Sequence, residues 1–251
     1  NAADTDGTIA KVDFYRGATL IGTATSAPYT FNWTNVAQGS YSVTARATDS
    51  SGATTTSAAV NITVNANQPP TVSLTSPANN ATFIAPASVT LSATASDTDG
   101  TVARVDFFQG ANLVGTATSA PYTLALTNVQ PGTYSYTARA TDNLGATTTS
   151  AAINVIVNAN QAPTVSITAP ANNAAFIAPA AVTITANASD ADGTVAKVEI
   201  FEGANLLATL TAAPYTFNWT NVPAGTYSLT AKATDNLGAV TTSAAVSPGF
   251  S

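Results

Sequence analysis

The sequence contains no cysteine, no methionine and no histidine. Without cysteine the chain can form neither a disulfide nor a thiolate nucleophile. Without histidine it lacks the side chain that most often serves as a general base. No serine-nucleophile motif and no phosphate-binding loop takes the place of these residues. We therefore interpret the chain as a non-catalytic protein, not an enzyme.

Charged residues are also scarce, at 8% of the chain against about 25% in typical domains. The net charge is −6, and only 7 residues are basic. Because no basic stripe is present, we expect no nucleic-acid binding. No apolar run approaches the ~20 residues of a membrane-spanning helix, so we expect no membrane insertion in this segment.

What the sequence does have is a repeat of 93 residues, marked by an acidic turn that begins at Asp4, Asp97 and Asp190. The turn reads Asp-x-Asp-Gly and opens the same longer stretch each time, as in DGTIAKVDFYRGATL and DGTVARVDFFQGANL. A constant period of this size defines the unit of the fold. The predicted units are repeat 1 (1–66), repeat 2 (67–159) and repeat 3 (160–251).

Repeat 2 reads as a series of short strands separated by turns. Apolar and polar residues alternate over 88–95 and over 133–141, which predicts half-buried strands. We also predict a turn-rich stretch over 76–87 and a single closing strand over 147–157. No stretch keeps a helical period over three turns. About seven short strands in a unit of this length indicate an immunoglobulin-like β-sandwich. We therefore predict an all-β fold of tandem sandwiches arranged end to end.

The first and last repeats depart from this pattern. Repeat 1 lacks the first two strands of the unit, and repeat 3 ends in SPGFS where a longer last strand is expected. A sandwich that lacks two strands exposes a groove and a sheet edge. Two explanations stay open: the chain is a fragment whose true N-terminus lies upstream, or another chain, such as a second copy, fills the groove by strand addition.

The motifs Asp-x-Asp-Gly, Ala-Pro-Tyr, Pro-Gly-Thr-Tyr and Thr-Asp-Asn-x-Gly-Ala together resemble those of bacterial Ig-like domains that occur in tandem. The acidic elements also look like those of PKD domains. The resemblance implies an extracellular or cell-surface protein of bacterial origin. Such modules occur in adhesins and surface filaments, and beside carbohydrate-active enzymes.

The acidic turns also suggest a calcium site at each domain junction. In an Ig-like sandwich the Asp-x-Asp-Gly turn, the later Thr-Asp turn and the incoming linker lie at one pole, and Ca²⁺ binds 6–8 oxygen ligands. The Asn-rich linkers resemble those of calcium-rigidified cadherin-type arrays. The alternative is that these sequences are simply good turns, in which Asp and Asn bond to their own backbone and Gly adopts positive φ. The candidate ligands are Asp4, Asp6, Asp49, Asn65, Asn67, Asp97, Asp99, Asp142, Asn158, Asn160, Asp190, Asp192 and Asp235.

Other patterns have structural interpretations that we favour. Tyr41, Tyr134 and Tyr227 match the tyrosine corner, in which the hydroxyl bonds to nearby backbone. Trp33 and Trp219 align with a leucine, which indicates a core position. Three pairs of opposite charge are predicted to face each other across strands on the outer surface. The pairs are Asp13 with Arg46, Asp106 with Arg139, and Glu199 with Lys232.

Aromatic residues on the solvent side of the third strand allow a second hypothesis. Tyr15, Phe108 and Phe201 would stack on polysaccharide, or neighbouring Arg and Lys stems would cover them. The leading hypothesis is a structural one, a stiff stalk or filament segment whose partners are its neighbouring repeats. The alternatives are a carbohydrate-binding or adhesive module of a larger secreted protein, and a self-assembling fibre subunit.

Overall fold

The structure, a computed structural model, describes residues 1–251 and is all-β, which confirms the predicted fold class of tandem Ig-like sandwiches. It contains no helix that is long and apolar enough to cross a membrane. Two compact units can be distinguished. One comprises Asn1–Pro69 with Asp97–Gly100, and the other comprises Pro70–Ser96 with Thr101–Ser251.

Repeat 2 is a complete sandwich of two sheets. One sheet has the order β10-β9-β12-β14-β7, with β13 also paired to β12, and the other has the order β11-β8-β6. Its strands are β6 (Thr71–Ser76), β7 (Ala81–Ile84), β8 (Ala87–Ser96), β9 (Val102–Gln109), β10 (Asn112–Ala117), β11 (Tyr122–Val129), β12 (Gly132–Asp142), β13 (Thr147–Thr149) and β14 (Ile153–Asn158).

The core of repeat 2 lies between these sheets and follows the predicted alternation. Leu91 on β8, Phe107 on β9 and Ala138 on β12 are fully buried in one cluster. Burying a side chain of the size of Phe or Leu contributes roughly 1.5–3 kcal/mol. The alternating pattern therefore fixes which face of each strand turns inward.

Two elements of repeat 2 differ from the sequence prediction. The turn-rich stretch after β6 contains the short strand β7, which pairs in parallel with β14. The predicted single strand over 147–157 is two strands, because the chain leaves β12 after Thr149 and returns to it at Ile153. At the break, the Ser150 hydroxyl accepts a hydrogen bond from the Ala138 backbone nitrogen, and this bond stands in for the interrupted ladder.

Repeat 3 has the same plan with a different closure. Its sheets have the orders β19-β18-β22-β23, β15-β17-β20 and β16-β24-β21. Its strands are β15 (Thr164–Ala169), β16 (Ala175–Phe176), β17 (Ala180–Ser189), β18 (Val195–Glu202), β19 (Asn205–Leu210), β20 (Tyr215–Val222), β21 (Gly225–Thr226), β22 (Leu229–Asp235), β23 (Val240–Thr242) and β24 (Gly249–Phe250).

The terminal SPGFS segment forms this closure. Strand β24 is only two residues long, yet it pairs in parallel with β16 and antiparallel with β21. The Phe250 ring is buried and stacks on Phe176 at a centroid distance of 5.1 Å. A short strand with a large side chain thus fills the place that Val157 of the longer strand β14 fills in repeat 2.

Repeat 1 is a single sheet of the order β2-β1-β3-β4, with β5 also paired to β3. It has no counterparts of β6, β7, β8 or β11. The boundaries between the three repeats stay a prediction. The strands of repeat 1 are β1 (Ile9–Arg16), β2 (Thr19–Ala24), β3 (Gly39–Asp49), β4 (Thr54–Thr56) and β5 (Val60–Val64).

Candidate functional site

The later acidic turn of each repeat is closed by its own aspartate. In repeat 3, Asp235 Oδ1 accepts hydrogen bonds from the backbone nitrogens of Leu237, at 2.9 Å, and Ala239, at 2.8 Å. The glycine of this turn, Gly238, has φ +94, a left-handed conformation that favours glycine. The other repeats form the same turn, with Asp49 bonded to Ser51 and Ala53, and Asp142 bonded to Leu144 and Ala146.

Glycine occupies the last position of the Asp-x-Asp-Gly turn for a different reason. Gly193 does not have positive φ, so the expectation that this glycine adopts that conformation is wrong. A Cβ on Gly193 would lie 2.6 Å from Asp190 Oδ2 and would also clash with Asn236 Oδ1. In repeat 1 a Cβ on Gly7 would lie 2.6 Å from Asp4 Oδ2. Glycine is required because a carboxylate oxygen packs directly against the backbone.

The linker into repeat 3 is bonded to both acidic turns. Asn160 Nδ2 donates a hydrogen bond of 2.7 Å to Asp235 Oδ2. The backbone nitrogen of Gln161 donates a bond of 3.0 Å to Asp192 Oδ2. A matching bond of 3.0 Å joins the Gln68 nitrogen to Asp99 Oδ2. Sequence reasoning missed these backbone donors, for which the shared Asn-Gln dipeptide of the two linkers was the available signal.

The two acidic turns of repeat 3 are also tied to each other. The Thr194 nitrogen donates a hydrogen bond of 2.8 Å to Asn236 Oδ1, and the Asn236 nitrogen donates one of 2.9 Å to the Thr194 carbonyl. This reciprocal pair fixes the position of Asp190 and Asp192 relative to Asp235. Hydrogen bonds therefore fix both acidic turns at this pole of repeat 3.

Hydrogen bonds favour the charged form of Asp235. Burial acts to raise the pKa of Asp235, but the hydrogen bonds from Asn160 and from the turn backbone outweigh it and hold that pKa below its ordinary value. Three oxygens at this pole are buried and have no hydrogen-bond donor. They are Asn160 Oδ1, Asp190 Oδ2 and Asp192 Oδ1.

The predicted calcium ligands are only partly brought together. No group of three or more acidic side chains is placed to hold a metal ion, so the expected convergence of three carboxylates is not found. Asn158 lies at the end of β14, where it pairs with Ile84 and its side chain is exposed. Asn65 is likewise exposed, whereas Asn67 is partly buried. In each repeat the first aspartate mainly caps its own turn, with Asp4, Asp97 and Asp190 bonded to the nitrogens of Asp6, Asp99 and Asp192.

The tyrosines have the predicted structural role. The hydroxyl of Tyr41 donates to the Ala37 carbonyl at 2.7 Å. Tyr134 and Tyr227 repeat this contact with the residue four positions upstream. Trp219 packs edge-on against Tyr227 at 5.0 Å and belongs to the core. These residues close the loop before the central strand.

The charged pairs face each other in the predicted register, but their acids are not on an open surface. Asp106 lies opposite Arg139 and is only 4% exposed. Arg104 reaches the same carboxylate at 3.1 Å, and Arg139 does so at 3.3 Å. The Thr116 hydroxyl donates a bond of 2.7 Å to its other oxygen. Alternation along a strand predicts the side of the sheet correctly but does not reveal that two cationic stems bury the acid between them.

We expect this network to make stability depend on pH at the acid end. Burial acts to raise the pKa of Asp106, but bonds from Thr116, Arg104 and Arg139 hold it below the ordinary 3.8. A depressed pKa means that the stabilisation is complete above about pH 5 and is lost as the pH falls through the lower folded value. Asp106→Asn should lower the free energy of unfolding by about 1–3 kcal/mol at pH 7. It should also reduce the further loss between about pH 5 and pH 2.

Urea unfolding across this pH range measures both effects. The matched control is Glu202→Gln at the end of β18, where the carboxylate accepts a hydrogen bond from Asn205 and forms no salt bridge with arginine or lysine. An Asp106→Asn variant that loses as much stability in acid as the parent would contradict this role of the carboxylate.

Arginine side chains cover the outward aromatic residues of two repeats. The Arg46 guanidinium lies 5.0 Å from the Tyr15 ring centroid, and that of Arg139 lies 4.7 Å from Phe108. Such cation–π contacts contribute roughly 0.5–1 kcal/mol at exposed sites. One face of each ring is thereby occupied, as expected if these residues shield the sheet.

Comparisons with known proteins agree with this architecture. A family model described as "Bacterial Ig domain" matches residues 1–45, 70–138 and 163–231. Exoglucanase B of Cellulomonas fimi is 34% identical over 97% of this chain, which spans 23% of that protein.

Solved structures with similar folds include the fibronectin(III)-like modules of Clostridium thermocellum CbhA. They are 29% identical, with a TM-score of 0.35, and the match covers 72% of this chain and 93% of theirs. A structure of a 1.5-MDa bacterial ice-binding adhesin is 11% identical with a TM-score of 0.46, over 99% of this chain and 88% of that one. The triple match of the family model at a constant spacing shows that this chain belongs to the bacterial Ig domain family.

Proposed function

We propose that this chain is a non-catalytic spacer within a larger secreted protein, and that its pinned linkers hold successive domains in fixed orientation. The similarity to exoglucanase B, of which this chain spans 23%, supports attachment to a larger carbohydrate-active enzyme. In that setting the repeats set the distance and angle between functional domains. The polypeptide's own contribution is mechanical, not chemical.

The observation that carries this proposal is the bonding of the linker into repeat 3. A linker that only connected two domains would have its polar groups in water. Here the Asn160 amide bonds to Asp235 and the Gln161 backbone bonds to Asp192, on two different turns. Only Ala162 and Pro163 separate Gln161 from the start of β15 at Thr164. Few backbone dihedral angles therefore remain free in the linker. Two anchoring points on adjacent residues restrict both bending and twisting at this junction.

Electron-paramagnetic-resonance distance measurement tests the stiffness of the junction. The chain has no cysteine, so Ala111→Cys with Ala204→Cys places one spin label in each of two neighbouring repeats, at exposed turn positions. We expect a narrow distance distribution in the otherwise unchanged chain. Asn160→Ala should broaden the distribution at least about twofold, because it removes a bond to a charged acceptor, the stronger type of hydrogen bond.

Asn158→Ala is the matched control, since Asn158 is in the same linker region but its side chain is exposed. It should leave the distribution as narrow as in the labelled parent. A broad distribution in the parent would reject the spacer proposal, because the anchoring bonds would then fail to hold the junction.

We further propose that Ca²⁺ binds at this pole and stiffens it. Asn160 Oδ1, Asp190 Oδ2 and Asp192 Oδ1 are buried without donors, and a buried oxygen without a partner is unfavourable. Amide and carboxylate oxygens are the ligands that Ca²⁺ prefers, and water supplies further ligands at many sites. These three oxygens are suitable ligands for a hard cation such as Ca²⁺, and water would supply the remaining ligands. When bound, the ion would neutralise the carboxylates and join the linker to the turn.

A second arm of the same measurement tests the cation. The labelled chain is compared in EDTA and in about millimolar Ca²⁺, the range typical of extracellular modules. We expect Ca²⁺ to narrow the distribution and an equal concentration of Mg²⁺ to do less, because Mg²⁺ requires stricter geometry. Asp190→Asn with Asp192→Asn should abolish the response. An identical distribution in EDTA and Ca²⁺ would reject the cation while leaving the spacer proposal standing.

A further inference from the structure

Six of the seven basic residues of the chain lie in one recurring surface arrangement. In each repeat two basic side chains flank a single acidic one on the outer face of a sheet. They are Lys11 and Arg46 around Asp13, Arg104 and Arg139 around Asp106, and Lys197 and Lys232 around Glu199. Two positive charges thus accompany one negative charge in each cluster, although the net charge of the chain is −6.

The arginines of repeat 2 keep donors that no protein group uses. Arg104 donates to Asp106 through Nε alone, and Arg139 does so through Nη2 alone. The other Asp106 oxygen is occupied by the Thr116 hydroxyl. The side chains of Arg104 and Arg139 are 48% and 41% exposed, whereas that of Asp106 is 5% exposed. The remaining terminal guanidinium nitrogens can therefore donate to an acceptor that arrives from solution.

An apolar surface lies directly beside these arginines. Phe108 follows Asp106 on the same face of β9, and its partner across the hairpin is Leu113 on β10. Leu113 is 58% exposed, and the Arg139 guanidinium lies over the Phe108 ring. Alternate residues of a strand are about 6.6–6.8 Å apart, so the surface extends about 13 Å along β9. We call Arg104, Arg139, Phe108 and Leu113 the cationic patch of repeat 2.

Repeat 1 carries the same patch at the equivalent positions. Its members are Lys11, Arg46, Tyr15 and Leu20. Tyr15 pairs with Leu20 across the β1–β2 hairpin, and Leu20 is 52% exposed. In repeat 3 lysine replaces both arginines, and Glu202 stands where repeat 2 has Gln109. The cationic patch is therefore best developed in repeats 1 and 2.

A ligand that matches these patches carries a carboxylate next to an apolar surface. A guanidinium group binds a carboxylate through two parallel hydrogen bonds, and covering an exposed leucine removes apolar area from water. A uronic acid offers both, because its carboxylate adjoins a sugar-ring face made of C–H groups. One exposed ion pair contributes only about 0–1 kcal/mol. A polymer that makes several such contacts gains avidity that a single sugar lacks.

We infer that the cationic patches of repeats 1 and 2 bind an acidic polysaccharide built of uronic acids. The carboxylates of the polymer bond to the free guanidinium nitrogens, and its sugar rings pack against the exposed leucines. A neutral glucan has the ring without the carboxylate, and an acidic polypeptide has the carboxylate without the ring. This binding is separate from the spacer role and from the acidic pole of repeat 3.

Surface plasmon resonance with immobilised polygalacturonate tests the inference on the full chain. The buffer contains EDTA, so that no cation can bridge the acidic turns to the polymer. We expect binding at low ionic strength that weakens as salt is added, because salt screens exposed charges. Surfaces of dextran and of polyglutamate should bind at least about tenfold more weakly, since each lacks one of the two features. The overall charge of −6 opposes binding to a polyanion, so retention reports a local site.

A pair of charge-matched variants locates the site. Leu20→Asp with Leu113→Asp places a carboxylate in each patch and should weaken binding to polygalacturonate at least about tenfold. The control is Leu144→Asp with Leu237→Asp, which makes the same charge change at exposed leucines of the later acidic turns. It should stay within about twofold of the parent.

Three outcomes would overturn the inference. They are absence of binding by the parent, an equal loss of affinity in both double variants, and equal binding to polygalacturonate and to either comparison polymer. Thermal unfolding of the variants shows that any loss is not caused by unfolding, since both substituted leucines of each pair are exposed. The distance measurements that test the spacer role are unaffected by any of these results.

Discussion

Phe250→Ala is expected to lower the free energy of unfolding of repeat 3 by about 3–5 kcal/mol, the usual cost of truncating a buried phenylalanine. Phe250 is 5% exposed although it is the second-last residue of the chain. Its ring stacks on Phe176 and lies edge-on to Tyr227 at 5.3 Å and to Trp219 at 6.2 Å. Aromatic pairs of this kind add about 0.5–1.5 kcal/mol beyond their buried area.

Urea unfolding followed by Trp219 fluorescence measures this effect, in a Trp33→Phe background that removes the only other tryptophan. The control is Ile177→Ala, because Ile177 is adjacent to Phe176 but is 86% exposed. That change should cost less than about 0.5 kcal/mol. A loss below about 1 kcal/mol for Phe250→Ala would show that the two-residue strand does not close the domain.

Phe107→Ala should destabilise repeat 2 by about 3–5 kcal/mol, whereas the equivalent change Phe14→Ala should cost repeat 1 no more than about half as much. Phe107 is fully buried between two sheets. Phe14 is half-buried and faces an open groove, where Phe31 stacks on it at 6.0 Å. A side chain that remains in contact with water in the folded state loses less on truncation.

Native-state hydrogen exchange resolves the two repeats, since each substitution should raise exchange only in its own repeat. Comparison with Ile200→Ala, at the same position of repeat 3 and also fully buried, provides a further reference. Equal losses at Phe14 and Phe107 would mean that the face of repeat 1 is covered in solution.

The family resemblance and the period are read from local sequence and agree with the structure. Strict alternation at 88–95 fixes the inward side chains of β8, because the period of a strand is two whatever its surroundings. The tyrosine corners could also be predicted from local sequence, because each hydroxyl bonds to a carbonyl only four residues upstream. Interactions within a few residues, or repeated three times along the chain, are visible without coordinates.

Features that depend on distant residues were predicted less well. The short strand β7 has no clear alternation and exists because β14, more than sixty residues later, offers a parallel edge. The burial of Asp106 depends on Arg104 and Arg139 folding over it from two strands. At the acidic pole the sequence indicated Asn160 as a ligand, but its bond to Asp235 joins residues 75 positions apart. The donor at Gln161 is a backbone N–H, which every residue type except proline carries, so the side chain gave no signal for it.

The sequence alone determined the repeat, the all-β class and the faces of the strands, because these depend on side-chain type and spacing. Only the tertiary structure decided which segments complete a sheet. The two identical stretches 27–36 and 213–222 show the physical reason. One is a strand and the other is not, since a β-strand is stabilised by hydrogen bonds to a neighbour and not by its own residues. The acidic pole of repeat 3 also depends on tertiary structure. Its turns form from local hydrogen bonds, but the bonds to Asn160 and Gln161 form only when the linker lies against the turns.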